Sequence, residues 1–328
     1  MPRLILTSTE RLSPSGDRWL QRAVQAGRLV RVRAGHHVDA VEWDAASHDQ
    51  RALLRVAAGI RTRRQSAVLT HESAALVLGI PIIGARPDAV HLVSSTGSAP
   101  RNERGVVWHR ERLRDGDVIA YGGFFVTSPE RTMYDLARTR GFASAVTGLD
   151  AALAGRYEPL ATRFDGEGFV QWTPEPIAAL DREALTERID ASGGARGIRS
   201  ARRAVEFADP RSASSGESLS RAQIHLLGFP QPEVQVAFAR LDGGVDVVDF
   251  IWRDLLIAGE FDGFVKYHRE DYLDGRTPEE VVWLEKQRER RLRRDHGLEV
   301  SRWSWDAART PSLLRAELIA AGLQPVRR

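Results

Sequence analysis

The sequence contains no cysteine. Disulfides, thiolate nucleophiles, cysteine-ligated zinc and iron–sulfur clusters are thereby excluded, and a reducing compartment is the natural expectation. It also lacks any run of about 18 apolar residues, so no membrane-spanning helix is expected. The opening stretch MPRLILTSTERLSPSG has neither signal-peptide nor transit-peptide character, and the expected location is cytoplasmic. Lysine is almost missing as well: of 47 basic residues, all but Lys266 and Lys286 are arginine. A coding bias explains arginine in general, but not why both lysines fall in one C-terminal segment, where a compact ammonium differs chemically from a guanidinium fork. Excess charge is small, at +3, so a nucleic-acid partner must be argued from where the charges lie.

What is present is a globular composition. The 328 residues are 42% hydrophobic and 28% charged, enough for two or three domains with real cores.

Near the N-terminus, Ser13 to Asp17 supplies a turn and cap, and Arg18 to Ala26 reads as a helix with Leu20, Ala23 and Val24 on its apolar face. Gly27 ends it. Arg28 to Arg33 alternates as a strand, Ala34-Gly35 turns, and His36-His37-Val38 returns. Helix, glycine and arginine-studded hairpin is the layout of a winged helix-turn-helix. Arg18, Gln21, Arg22 and Gln25 lie on the polar helix face, where such side chains reach base edges, and Arg28, Arg31 and Arg33 would neutralise phosphates. An amphipathic helix beside a solvated hairpin has the same pattern. His36 and His37 point to opposite faces of a strand and cannot easily share a metal.

From about residue 45 to 155, helices mix with short strands. Ala46 to Ile60 is helical, and residues 90–93, 105–108 and 123–126 are strand-like. Thr127-Ser128-Pro129-Glu130 opens a helix, with Glu130 at the capping-box position. Thr70-His71-Glu72-Ser73 reads as a capped helix start rather than a hydrolase constellation, since sequence neighbours do not form a triad.

The stretches GRLVRVRAGHHV, LTHESAALVLGI, VHLVSS and FFVTSPERTMYDLA, in that order, resemble the AbiEi-type antitoxin and transcriptional-repressor family over about the first 155 residues. The resemblance implies a winged helix on operator DNA and a mixed α/β domain without catalytic activity. Short members of that family stop here; this chain continues.

Further on, Asp181 to Ile189 and Gly197 to Phe207 read as helices, and residues 208–216 as a small-residue linker. Ser214 and Glu217 form a capping box for a helix to Leu227. Val245 to Trp252 and Leu255 to Asp262 then read as two apolar strands joined at Arg253-Asp254. That hairpin places Phe250 opposite Ile257 and Val248 opposite Gly259. Asp249 falls across from Ala258 and diagonal to Glu260, with Asp262 on the same side. Acids are depleted in strands, and neighbouring like charges cost roughly 0.2–1 kcal/mol. A divalent cation reverses that sign, and carboxylate oxygens suit Mg²⁺ or Mn²⁺. Val247, Ile251, Leu256 and Ala258 make the face too apolar for an ordinary exposed surface.

Helix Glu217, strand Asp249, strand Glu260, the basic helix Pro278 to Asp295 and the strand Glu299 to Trp303 resemble the PD-(D/E)XK nuclease fold, in the branch related to very-short-patch-repair endonucleases. The likeness spans about residues 214–306. It implies an αβββαβ core in which Asp249, Glu260 and the Phe261 carbonyl hold Mg²⁺ or Mn²⁺, with Glu217 as the first-helix acid. Where the motif has lysine, this chain has Asp262, as the related branch also has an acid. Lys266 is the nearest substitute for the unfilled cation and Lys286 the next. Arg288, Arg290, Arg291, Arg293 and Arg294 form a stripe suited to phosphates or to pairing with Glu285 and Glu289.

The sequence therefore predicts a mixed α/β (α+β) protein: winged helix-turn-helix (1–42), AbiEi-like domain (43–158), helical linker (159–213) and nuclease-like domain (214–328). The expected function is a Mg-dependent endonuclease of a toxin–antitoxin or phage-defence setting, with Asp249, Glu260, Asp262, Lys266 and Glu217 as the catalytic set. The alternative is a DNA-binding repressor or antitoxin with an inactive nuclease-like domain. Expected partners are DNA and either a cognate toxin or a second copy, with no membrane.

Overall fold

The computed structural model describes residues 5–6, 16–61, 67–84, 88–94, 105–240, 242–263 and 277–326. The fold is mixed α and β. It divides into two compact units, residues 1–140 with 155–203, and residues 141–154 with 204–328. The segment 141–154 was expected in the AbiEi-like domain, but it groups with the C-terminal unit, and 159–203 groups with the first.

In the first unit, β1 (Ile5–Leu6), α1 (Gly16–Gln25), β2 (Leu29–Arg33) and β3 (His36–Asp39) form the N-terminal part, with strand order β1-β3-β2. Leu20, Ala23 and Leu29 bury a small core there. A short helix α2 (Ala40–Ala45), capped by Asp39, ends where Ala46 turns extended, and the helix expected over Ala46 to Ile60 follows as α3 (His48–Arg61). A five-stranded sheet follows from β4 (Ala67–Leu69), β5 (Val90–Ser94), β6 (Val106–His109), β7 (Val118–Tyr121) and β8 (Phe124–Thr127), in order β6-β5-β4-β8-β7. Helices α4 (His71–Leu78) and α5 (Pro129–Thr139) pack with it. Ser128, not Thr127, caps α5 through Arg131 N–H, so Glu130 misses the capping-box position and instead pairs with Arg188.

Helix α6 (Phe142–Leu153) precedes the two-stranded ribbon β9 (Thr162–Phe164) and β10 (Phe169–Gln171), then α7 (Arg182–Asp190) and α8 (Ile198–Phe207). The C-terminal unit continues as α9 (Ser215–Leu226), β11 (Glu233–Ala239), β12 (Val245–Trp252), β13 (Ile257–Asp262), α10 (Pro278–His296), β14 (Glu299–Ser304), α11 (Trp305–Arg309) and α12 (Pro311–Ala320). The sheet order is β11-β12-β13-β14, antiparallel except for the final parallel pair. The parallel step needs a crossover, and α10 supplies it.

The β12–β13 register differs from the expected one by two residues: Phe250 pairs with Gly259, Ile251 with Ala258 and Trp252 with Ile257. The connection is longer than a two-residue turn, because Arg253–Leu255 forms a 3₁₀ turn and Leu256 sits at φ +53°. Leu255 therefore belongs to the turn. Val247 and Leu256, expected on a buried face, are 39% and 52% exposed.

β12 also changes face in its middle. Val248 packs with Ile251, Ala258, Leu292 and Leu298 under α10. Phe250 instead stacks on Trp303, whose indole N–H donates to Ser220 of α9 at 2.8 Å. In regular alternation Val248 and Phe250 would share a face. The break falls on Asp249, and Gln235 across from it on β11 holds φ +52°. Gly259 is required on the Phe250 side: a Cβ there would lie 2.6 Å from Trp303 and 3.1 Å from Trp252.

Candidate active site

Neighbouring helices and strands meet where β12 changes face. Ser214 caps α9 by accepting from Glu217 N–H, and the Glu217 carboxylate accepts from the Ser214 hydroxyl and from Ala213 N–H, both at 2.8 Å. The side chain expected as the first-helix acid is thus also part of the helix cap. Gly216 lets α9 lie on the Phe261 ring, where a Cβ would come within 2.0 Å.

Gln235 Nε2 donates to Glu217 Oε2 at 2.8 Å and to Asp249 Oδ1 at 3.1 Å. Asp249 Oδ2 accepts from Phe261 N–H at 2.8 Å. Phe261 thus meets Asp249 through its amide N–H. Glu260, one residue earlier on β13, is 5% exposed. Arg288 of α10 donates to Glu260 Oε2 through Nη2 and to Val247 O through Nη1 at 2.6 Å. Arg302, opposite Glu260 on β14, stands 3.9 Å from the same oxygen.

Burial raises the Glu260 carboxyl to about 7, with the Arg288 guanidinium pulling it down and the Asp249 charge adding to the rise. Burial also raises Glu217, and the Asp249 charge raises it further. Three acids thus share one neighbourhood at an electrostatic cost. Among the described residues, no group of three or more His, Asp or Glu side chains closes on a metal position as it stands. One atom nevertheless fits a cation: Glu260 Oε1 is buried without a hydrogen-bond partner among the described residues.

The structure thus brings together Glu217, Asp249, Glu260 and the Phe261 backbone. Asp262 ends β13, half-buried. Lys266 lies outside the described residues, and Lys286 is exposed on α10. Sequence reasoning missed Gln235, which carries no signal by type or spacing. It placed Arg288 only in a stripe, although Arg288, Arg291 and Leu292 share a helical face and Leu292 is buried.

In the N-terminal part, Arg18, Gln21, Arg22, Gln25, Arg28 and Arg31 are exposed and Arg33 is half-buried. A bulge between Arg31 and Arg33 breaks the β2–β3 register. Arg31 and Arg33 line a cleft of about 590 Å³ together with Arg55, Asp88, Val90 and Gly105.

A buried polar network in the first unit was also missed. Thr70 does not cap α4; its hydroxyl meets Asp135 Oδ2 and His71 Nδ1, each at 3.1 Å. His71 stacks on His109 at 3.6 Å, and His91 Nδ1 lies 2.9 Å from His109 Nε2 and 3.3 Å from Glu72 Oε2. Burial holds His71 and His91 below the usual histidine range and His109 down at about 4.

No family model matches the chain. Over 104 residues it is 32% identical to the uncharacterized proteins MT2308 and Rv2248, from the CDC 1551 and H37Rv strains of Mycobacterium tuberculosis. The match covers 29% of this chain and 38% of each relative, so the chain spans well under half of their length. A solved structure, that of the RV2827C protein from Mycobacterium tuberculosis, is similar with a TM-score of 0.38 and 15% identity, over 67% of this chain and 76% of that one. Among the described residues, no helix is long and apolar enough to cross a membrane.

Proposed function

We propose that the C-terminal unit hydrolyses phosphodiester bonds of DNA with Mg²⁺ or Mn²⁺. The observation that carries this reading is the meeting of Glu217, Asp249 and Glu260 around Gln235 and the Phe261 amide. Asp249 and Glu260 would hold the ion, with Glu217 beside them. When bound, Mg²⁺ supplies Lewis-acid charge for the phosphate and acidifies water. The residues of the chain do the positioning. Phe261 N–H and Gln235 fix both oxygens of Asp249. Burial keeps water from screening Glu260. Hydrolysis adds a water oxygen to phosphorus and breaks one ester P–O bond, and the leaving oxygen takes up a proton. The exposed face of α1 and Arg28 would meet the DNA in the first unit.

The test is cleavage of labelled duplex DNA by the full chain with Mg²⁺, with Mn²⁺ and with EDTA, comparing wild type and Asp249→Ala. Metal-dependent cutting that Asp249→Ala abolishes supports the reading. Absence of cutting by wild type with either metal rejects it.

A second reading is a DNA-binding regulator that does not cut. The acid at Asp262, where the motif has lysine, favours it. Tight operator binding without cleavage is its expected signature.

A further inference from the structure

We propose that Arg288 fills the cation position that this site lacks at Asp262: from α10 it fixes Glu260 by Oε2, leaves Oε1 turned to the site, and places its guanidinium beside the substrate phosphate. The proposal rests on the nuclease reading above and names a residue outside the sequence motif.

The geometry supports it in three ways. Arg288 is attached at two points, through Nη1 to the Val247 carbonyl and through Nη2 to Glu260 Oε2. A planar fork can hold both acceptors at once and so fixes the direction of the carboxylate, which a single ammonium cannot do. Second, the attached oxygen is Oε2, while the other oxygen, Oε1, is buried without a hydrogen-bond partner among the described residues. Third, among the described residues, the other cationic groups near Glu260 are differently placed. Arg302 lies 3.9 Å from Glu260 but is also shared with Glu285 at 4.0 Å and Glu289 at 3.7 Å. Lys286, two residues before Arg288, is exposed and projects about 200° away around the helix. Arg291, one position on along the sheet-facing stripe, pairs with Asp246 at 2.8 Å.

A simpler role for Arg288 is to neutralise a buried acid. The two roles predict opposite signs for metal binding. A guanidinium that only neutralises Glu260 competes with a metal cation, so its removal tightens Mn²⁺ binding. A guanidinium that orients Glu260 supports binding, and removing such an orienting group typically weakens a metal site by about 10–100-fold.

The experiment uses the full chain as wild type, Arg288→Gln, Arg288→Lys and Asp249→Ala. Mn²⁺ affinity is read by calorimetry without DNA, cleavage of labelled duplex by kcat and KM, and folding by thermal melts. The expected result is Mn²⁺ binding by wild type that Asp249→Ala abolishes. Arg288→Gln should bind Mn²⁺ at least about 10-fold more weakly. Its kcat should fall about 10²–10³-fold with KM nearly unchanged, and Arg288→Lys should recover part of kcat. Equal or tighter Mn²⁺ binding by folded Arg288→Gln, or cleavage equal to wild type, overturns the proposal while the nuclease reading stands. Wild type that neither binds Mn²⁺ through Asp249 nor cuts overturns both. Should Arg288→Gln melt far below wild type, the folded Arg288→Lys decides: a kcat equal to wild type rejects the two-point attachment.

Discussion

Glu217 and Asp249 are joined through one amide, that of Gln235, which donates to Glu217 Oε2 at 2.8 Å and to Asp249 Oδ1 at 3.1 Å. Gln235→Leu removes a donor from two acceptors, one of them on a buried side chain. The expected loss is about 1–3 kcal/mol in urea unfolding at neutral pH. A midpoint equal to wild type would show that water replaces the amide.

Asp150 and Arg221 form a buried ion pair at 2.8 Å, and Asp150 also accepts from Asp209 N–H at 2.7 Å. This pair links α6, distant in sequence, to α9, against which it packs in the C-terminal unit. Asp150→Ala strands a buried guanidinium and should cost about 3–5 kcal/mol. The double variant Asp150→Leu, Arg221→Met should recover much of that loss in the same unfolding measurement.

The stacked His71, His91 and His109 contribute to the acid response of the first unit, against the neighbouring Asp135, whose carboxyl burial raises to about 7. Their folded values lie below the free value of 6.5, with His109 at about 4. At these histidines the unfolded chain therefore binds more protons, and their contribution to stability falls as pH drops from about 6.5 towards 4. Glu260 has the opposite sign. Its folded value, about 7, exceeds the free value of 4.5, so its contribution is present below 4.5 and lost as pH rises through 7. Amide exchange resolved by unit, followed from pH 4 to 8, should show the first unit loosening in acid, and His109→Phe should flatten that slope.

Arg22 and Arg31 are exposed on α1 and β2. Each alanine variant should weaken a DNA gel shift and lower the salt slope by about one for every phosphate no longer neutralised. Shifts and slopes equal to wild type would reject the proposal that the N-terminal part binds DNA.

Much of this arrangement was legible in the sequence. β12 runs over Val245–Trp252 as expected, and among the described residues the C-terminal elements run α9, β11, β12, β13, α10, β14. Period-two and period-three-to-four patterns carry such elements well, because burial follows from side-chain direction. The β12–β13 register did not follow, because loop length sets register and a 3₁₀ turn with a left-handed Leu256 leaves no apolar signature. The face change at Asp249 was equally hidden, since alternation is the assumption that it breaks. The partners of the acids, Gln235 and Arg288, come from β11 and α10, and no local spacing relates them to Asp249 or Glu260.

Gly216 has a consequence for the dimensions of the site. The start of α9 rests on the Phe261 ring only because residue 216 has no side chain. One missing methyl group thus acts as the gauge that sets how far the helix acid stands from the strand acid. The width of the site is set by an uncharged contact beside the acids, so acid spacing can be altered without touching a charged residue.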